Sequence, residues 1–158
     1  MADMQGNLDL GVRFYPTSVT GNTSQMGYFV RYQSERNTGI LRLNFGGVID
    51  ANFGTDRILD GFVVVGLEVI AADAKSLKPF VDVLGTVGAV NVVQGASSSV
   101  WVNYGLEVIA GMEIKFGTSE NSKGIRISTG YRTLFGQPGG TLAPTDLTVY
   151  QLSLGFLF

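Results

Sequence analysis

Apolar and polar residues alternate with period two along almost the whole chain, and this alternation limits the fold more than any motif does. NLDLGVRFY puts Leu8, Leu10, Val12 and Phe14 on one face and Asp9, Gly11 and Arg13 on the other. QMGYFVRYQ separates Met26, Tyr28, Val30 and Tyr32 from Gly27, Phe29 and Arg31. The pattern returns over 40–53, 58–71, 79–91, 99–116, 124–134 and 147–158. Successive side chains of a strand point to opposite faces, whereas a helix repeats near every fourth residue; helical spacing fits nowhere over any length. Turn-rich segments separate the eight runs: PTSVTGNTSQ, SERNTG, GTDR, AADAKSLK, VQGASS, GTSENSK and FGQPGGTLAPT. Eight such strands with short connections predict an all-β, antiparallel up-and-down barrel. It forms a single domain over 1–158, with 1–6 as an N-terminal tail.

Alternation does not say which face is outside; the charges do. The polar face carries Asp9, Arg13, Arg31, Arg42, Asp50, Asp60, Glu68, Asp82, Glu107, Glu113, Lys115, Arg126 and Arg132. The other charged residues, Glu35 and Arg36 of SERNTG among them, are assigned to turns or the tail. None falls on an apolar strand face. On a lipid-facing surface a Lys or Arg costs about 2–4 kcal/mol at the bilayer midplane, so lipid explains that exclusion. The polar face is also rich in glycine (Gly11, Gly46, Gly66, Gly88, Gly105, Gly111, Gly130, Gly155), unlike the Lys- and Glu-dense exterior of a water-exposed sheet. Small residues there leave room for Phe29, Phe62 and Trp101 in a narrow lumen. Phe14, Phe53, Tyr32, Phe116, Phe156 and Phe158 share the apolar face near strand ends, where interfacial girdles belong. The expected fold is therefore an eight-stranded transmembrane β-barrel with its charges inside. The competing arrangement is a soluble lipocalin-like binder with the faces reversed.

Composition agrees. Charged residues make up 15% of the chain, below the usual quarter, and mean hydropathy is +0.24. Yet there is no apolar run of about 18 residues for a spanning helix. A net charge of −2 and a pI near 5.0 argue against nucleic acid as a partner. Cysteine and histidine are both absent, which removes thiolate chemistry, disulfides and the usual transition-metal ligands; no cofactor or metal is expected. MADMQGNLDL has no basic n-region followed by an apolar h-region, so the start does not read as a signal peptide.

One phrase occurs twice. GLEVIA stands at 66–71 and again at 105–110, on the fourth and sixth predicted strands. Both copies run in the same direction with the glutamate on the polar face, which makes the repeat structural.

The end of the chain, YQLSLGFLF, resembles the terminal signature of bacterial outer-membrane barrels: a final Phe with apolar residues at every second position before it. Tyr150, Leu152, Leu154, Phe156 and Phe158 fit it. KPFVDVLGTVGAV is similar to the fifth strands of small barrels of the OmpA, OmpX and OmpW kind. The resemblance implies a place in the outer membrane of a Gram-negative bacterium, both termini on the periplasmic side, contact with outer-membrane lipids, and recognition of the C-terminal strand by the outer-membrane assembly machinery. No peptidoglycan-binding domain follows, so an envelope-tethering role is not expected. The loops on the outer side, about 5–12 residues, are short for a loop-driven adhesin.

The chemistry rests on the inward charges Arg13, Arg31, Arg42, Glu68, Asp82, Glu107, Glu113, Lys115, Arg126 and Arg132. They form either an electrostatic plug or a gate for ions; the narrowness of eight strands favours the plug. Glu68 and Glu107 need cations, for which Arg42, Arg126 and Lys115 are the candidates. Phe29, Phe62, Val64, Leu84, Ile109 and Trp101 face the same way, as lumen filler or as a pocket for an acyl chain. No catalytic residue is assigned. Barrel enzymes of the resembling families use a histidine, and Glu107 and Glu113 lie about 20 Å apart by strand rise, too far to act as a pair. The expected role is structural, in envelope integrity or surface interaction, with a narrow channel as the alternative. A monomer is expected, although Gly47 and Gly85 on the outer face would permit close contact between barrels.

Overall fold

The computed structural model describes residues 4–15, 25–37, 40–53, 57–71, 77–117, 122–135 and 148–158, with only the backbone at Asn37, Phe53 and Gln94. The strands are β1 (Met4–Tyr15), β2 (Gln25–Asn37), β3 (Leu41–Phe53), β4 (Arg57–Ile70), β5 (Leu77–Gln94), β6 (Ser97–Lys115), β7 (Gly124–Leu134) and β8 (Val149–Leu157). Each pairs antiparallel with its sequence neighbours, and β1 pairs with β8, closing an eight-stranded barrel.

The two faces are as distinct as the alternation requires. Leu10, Val30, Leu43, Val65, Val83, Leu106, Ile127 and Leu154 all point outward and are exposed, while the charged residues in the middle of the strands point into the lumen. Arg36 and Arg57, at the ends of β2 and β4, lie on the outward face and are exposed, so the apolar face is free of charge only between its rims. An apolar exterior of this extent matches lipid, not water. The reversed, lipocalin-like arrangement is thus not adopted, and the fold is that of a transmembrane β-barrel. Outward aromatics gather at both ends. Tyr131 and Tyr150 (ring centroids 5.5 Å apart) and Tyr104 and Phe135 (6.2 Å) mark the end far from the termini. Tyr32 and Phe158 (6.4 Å) mark the terminal end. The Phe53 side chain, and the turn expected over AADAKS with Asp73 and Lys75, lie outside the described residues.

Three boundaries differ from those expected. The N-terminal tail is shorter, because β1 begins at Met4. Gly6 and Phe158 there exchange two backbone hydrogen bonds of 3.0 Å, which tie the start of the chain to its end. Strand β2 runs on through Ser34 and Glu35 to Asn37, since β1 offers partners as far as Arg36 and β3 as far as Asn37. Strands β5 and β6 are longer than read, at 18 and 19 residues. The turn expected over VQGASS narrows to two residues at the tip of their hairpin: Gln94 pairs with Ser97 around Gly95 and Ala96. Gly95 has φ +59°, a conformation that glycine adopts freely at the first position of a two-residue hairpin turn. The hairpin rises past its neighbour, for β7 meets β6 only from Gly105 downward.

Inward glycines let the barrel curve tightly. A Cβ on Gly66 would run into the carbonyl oxygen of Val83 and within 2.8 Å of the Leu84 Cα on β5. Gly155 makes room for charge: its missing Cβ would collide with the Asp9 carboxylate and lie 3.2 Å from the Arg126 Cβ.

Candidate functional site: two ion-pair layers in the lumen

Every residue expected in the inward network is buried in the barrel interior: Arg13, Arg31, Arg42, Glu68, Asp82, Glu107, Glu113, Lys115, Arg126 and Arg132. They divide into two layers along the barrel axis.

The layer nearer the termini centres on Arg42 of β3. Its Nη1 donates to Glu35 (3.1 Å), Glu68 (3.0 Å) and Glu113 (2.8 Å), from β2, β4 and β6. Arg126 of β7 reaches across the lumen to pair with Glu35 and Glu68. Its guanidinium also lies over the Phe80 ring, 3.8 Å from the centroid, so the π-face lines the side the carboxylates leave open. Lys115 closes the mouth, pairing with Glu113 at 3.3 Å and donating to Gln5 at 3.2 Å. Oxygens of Glu35, Glu68 and Glu113 lie within 4.8 Å of one another, a set of hard donors that would suit a metal ion. Arg42 stands where such an ion would sit.

The layer farther from the termini is built on Asp50 and Glu107. Arg13 pairs with Asp50 (2.5 Å) and Glu107 (3.4 Å), Arg31 with Glu107 and more loosely with Asp9 (3.9 Å). Arg132 pairs with Asp50 (2.9 Å) and Asp60 (3.3 Å). Phe29 lies under Arg13 and Arg31, and Phe62 under Arg132, each ring 4.7–5.3 Å from a guanidinium. Beyond this layer Tyr15, Ile58, Val90, Val92, Trp101 and Val149 pack together, beside the buried amide pair Asn52 and Gln25 (2.6 Å). Phe29, Phe62, Val64, Leu84, Ile109 and Trp101 all belong to this buried cluster.

The two GLEVIA glutamates are therefore neighbours in pattern but not in space. Glu68 belongs to the terminal-side layer, where its cations are Arg42 and Arg126, both anticipated. Glu107 belongs to the other layer and is held by Arg13 and Arg31, not by the three cations proposed from sequence. Register explains the separation. Glu68 pairs with Asp82, and Asp82 pairs with Ile109, so the hydrogen-bonding line from Glu68 crosses β6 two residues past Glu107.

Glu35, assigned to a turn from sequence, is a central member. It is 1% exposed and bonded to both arginines of its layer. The signal was available: Glu35 shares parity with Arg31 and Gln33, so the β2 alternation already placed it inward. With it, the buried charges of the lumen are the acids Asp9, Glu35, Asp50, Asp60, Glu68, Asp82, Glu107 and Glu113 and the bases Arg13, Arg31, Arg42, Lys115, Arg126 and Arg132, and the half-buried Lys78, opposite Glu113 at the mouth, adds a seventh base. Strand β8 contributes none of them. Its inward residues are Val149, Gln151, Ser153, Gly155 and Leu157, while Tyr150, Leu152, Leu154, Phe156 and Phe158 all face outward and are exposed.

Fold and lumen together define a small eight-stranded barrel of the outer-membrane type, apolar outside and ion-paired within. No protein-family model matches the chain, and no curated protein matches it in sequence. Solved structures do match in fold. Neisserial surface protein A, NspA, superposes with a TM-score of 0.75 at 16% identity, over 98% of this chain and 95% of that one. The N-terminal β-barrel domain of Pseudomonas aeruginosa OprF gives 0.63 at 10% identity, over 98% and 97%. The outer membrane enzyme PagL gives 0.51 at 14%, over 98% of each chain.

Proposed function

We propose that this chain is a bacterial outer-membrane barrel whose lumen is closed by its two ion-pair layers, with a structural role in the envelope or in interactions at the cell surface. The observation that carries this reading is Arg42, fixed by Glu35, Glu68 and Glu113 from three other strands across the middle of the lumen. A guanidinium held on three sides cannot swing aside without leaving buried charge unpaired, a loss of roughly 3–5 kcal/mol. The outward apolar belt supports outer-membrane lipids as the surroundings. The exposed alternation of Tyr150, Leu152, Leu154, Phe156 and Phe158 supports recognition of β8 by the assembly machinery.

We read the protein as non-enzymatic and monomeric. The chain has no histidine or cysteine, and most of its buried carboxylates are engaged by arginines. The same fold serves PagL, so this reading rests on the site and not on the fold. Planar-bilayer recording on the refolded wild type and on Glu107→Gln tests closure. Silence from both is expected. Discrete conductance steps that change with the substitution would replace the closed barrel by a narrow channel.

A further inference from the structure

The ion-pair layers leave one carboxylate aside. Asp82 on β5 is fully buried, yet among the described residues no Lys or Arg nitrogen lies within 4.0 Å of it. Across the β4–β5 ladder it faces Glu68, a like charge. The cations on Glu68, Arg42 and Arg126, are shared with Glu35 and Glu113. Arg126 is near enough to attract Asp82 through space but makes no ion pair with it. Lys78 lies four residues along the same strand, about 13 Å by strand rise. Asp82 Oδ2 accepts one long hydrogen bond, from Gln33 at 3.4 Å, and Oδ1 accepts none. Asn44, 1% exposed, faces the same carboxylate but closes no hydrogen bond with either amide atom. Its ladder partner on β4 is Gly66, which pairs in turn with Leu84, so Asn44 faces Asp82 on a diagonal past a residue that has no side chain.

A bare carboxylate in a low-dielectric lumen needs a counter-charge. Eight acids against seven bases, Lys78 at the mouth included, leave the lumen short of positive charge even with every ion pair made. A proton on Asp82, donated to Asn44 Oδ1, is the competing solution, and it predicts no difference between sodium and an organic cation too large to enter. An ion ligated by both would satisfy both groups. We propose that Asp82 and Asn44, with Gln33 beside them, bind one hard monovalent cation, sodium by charge and donor set, inside the barrel. Carboxylate and amide oxygens are the donors such ions take. The inference rests on the geometry of the lumen and is independent of whether the lumen conducts.

The test is the unfolding rate of the barrel refolded in phosphatidylcholine vesicles, in sodium chloride against choline chloride at equal ionic strength. Unfolding about tenfold slower in sodium is expected for a site whose Kd is about a tenth of the sodium concentration. Asp82→Asn should unfold at one rate in both salts. Equal wild-type rates in both salts would overturn the proposal, as would a sodium effect that survives Asp82→Asn. Should that variant fail to fold, Asn44→Ala replaces it, with a several-fold weaker sodium effect expected and an unchanged one overturning the site.

Discussion

Arg13 on β1 and Arg132 on β7 donate to the same oxygen, Oδ2 of Asp50, at 2.5 and 2.9 Å. The strands that carry them flank β8, so this one carboxylate on β3 draws together both sides of the seam at which the barrel closes. Asp50→Ala would leave two guanidinium groups facing one another in a buried space. The expected loss is roughly 3–5 kcal/mol of folding stability, the usual cost of breaking a buried ion pair by removing one partner. Urea unfolding in lipid vesicles, followed by tryptophan fluorescence, measures it. A midpoint within error of the wild type would refute the assignment of Asp50 as the hub of its layer.

Arg42→Met should destabilise the barrel by a similar amount, and here a divalent ion should restore part of the loss. Glu35, Glu68 and Glu113 already bring oxygens within 4.8 Å of one another, and Ca²⁺ accepts such ligands in flexible geometry. Millimolar calcium is expected to raise the urea midpoint of the variant and to leave that of the wild type in place. An equal response in both would mean that calcium acts on the lipid.

Glycine positions separate a close approach from open space. Gly66→Ala puts a methyl group into the backbone of β5 and should cost about 1–3 kcal/mol, the range for overpacking a filled interior. Gly61 faces outward, with nothing within 4 Å of its added Cβ. Gly61→Ala should therefore be neutral or mildly stabilising, by up to about 1 kcal/mol. Matched urea titrations compare the two, and equal effects would contradict the stated packing around Gly66.

The terminal residue offers a kinetic test. Phe158 is 57% exposed on the outer face, so its side chain adds little to the interior. Phe158→Ala is expected to slow assembly into the outer membrane of living cells several-fold while leaving the urea midpoint of the refolded barrel nearly unchanged. Equal assembly rates for both proteins would remove the C-terminal strand from that role.

Fold class was legible because one rule, alternation, holds at almost every strand position, and because charge is absent from the middle of one of the two faces, Arg36 and Arg57 standing only at its rims. The layers were not legible, since a face is a property of one strand whereas a contact depends on how far each strand is shifted against the next. Glu107 illustrates this. Its inward direction follows from the residues beside it, but its partners Arg13 and Arg31 lie on β1 and β2, and only the accumulated stagger of the barrel brings them together. Glu35 was missed for another reason. Ser34, Asn37 and Gly39 around it are typical of turns, and that local composition outweighed a parity that pointed inward.

Strand β8 brings no charge into the lumen, although each of the other seven strands brings at least one. The last strand of the chain can therefore take its place without stripping water from an ionised side chain. The ionised side chains of this interior all come from the first seven strands, and the final one adds only neutral partners, chiefly Gln151 Oε1, which accepts from Arg13 (3.2 Å) and Arg31 (3.4 Å), while it presents its apolar side to lipid.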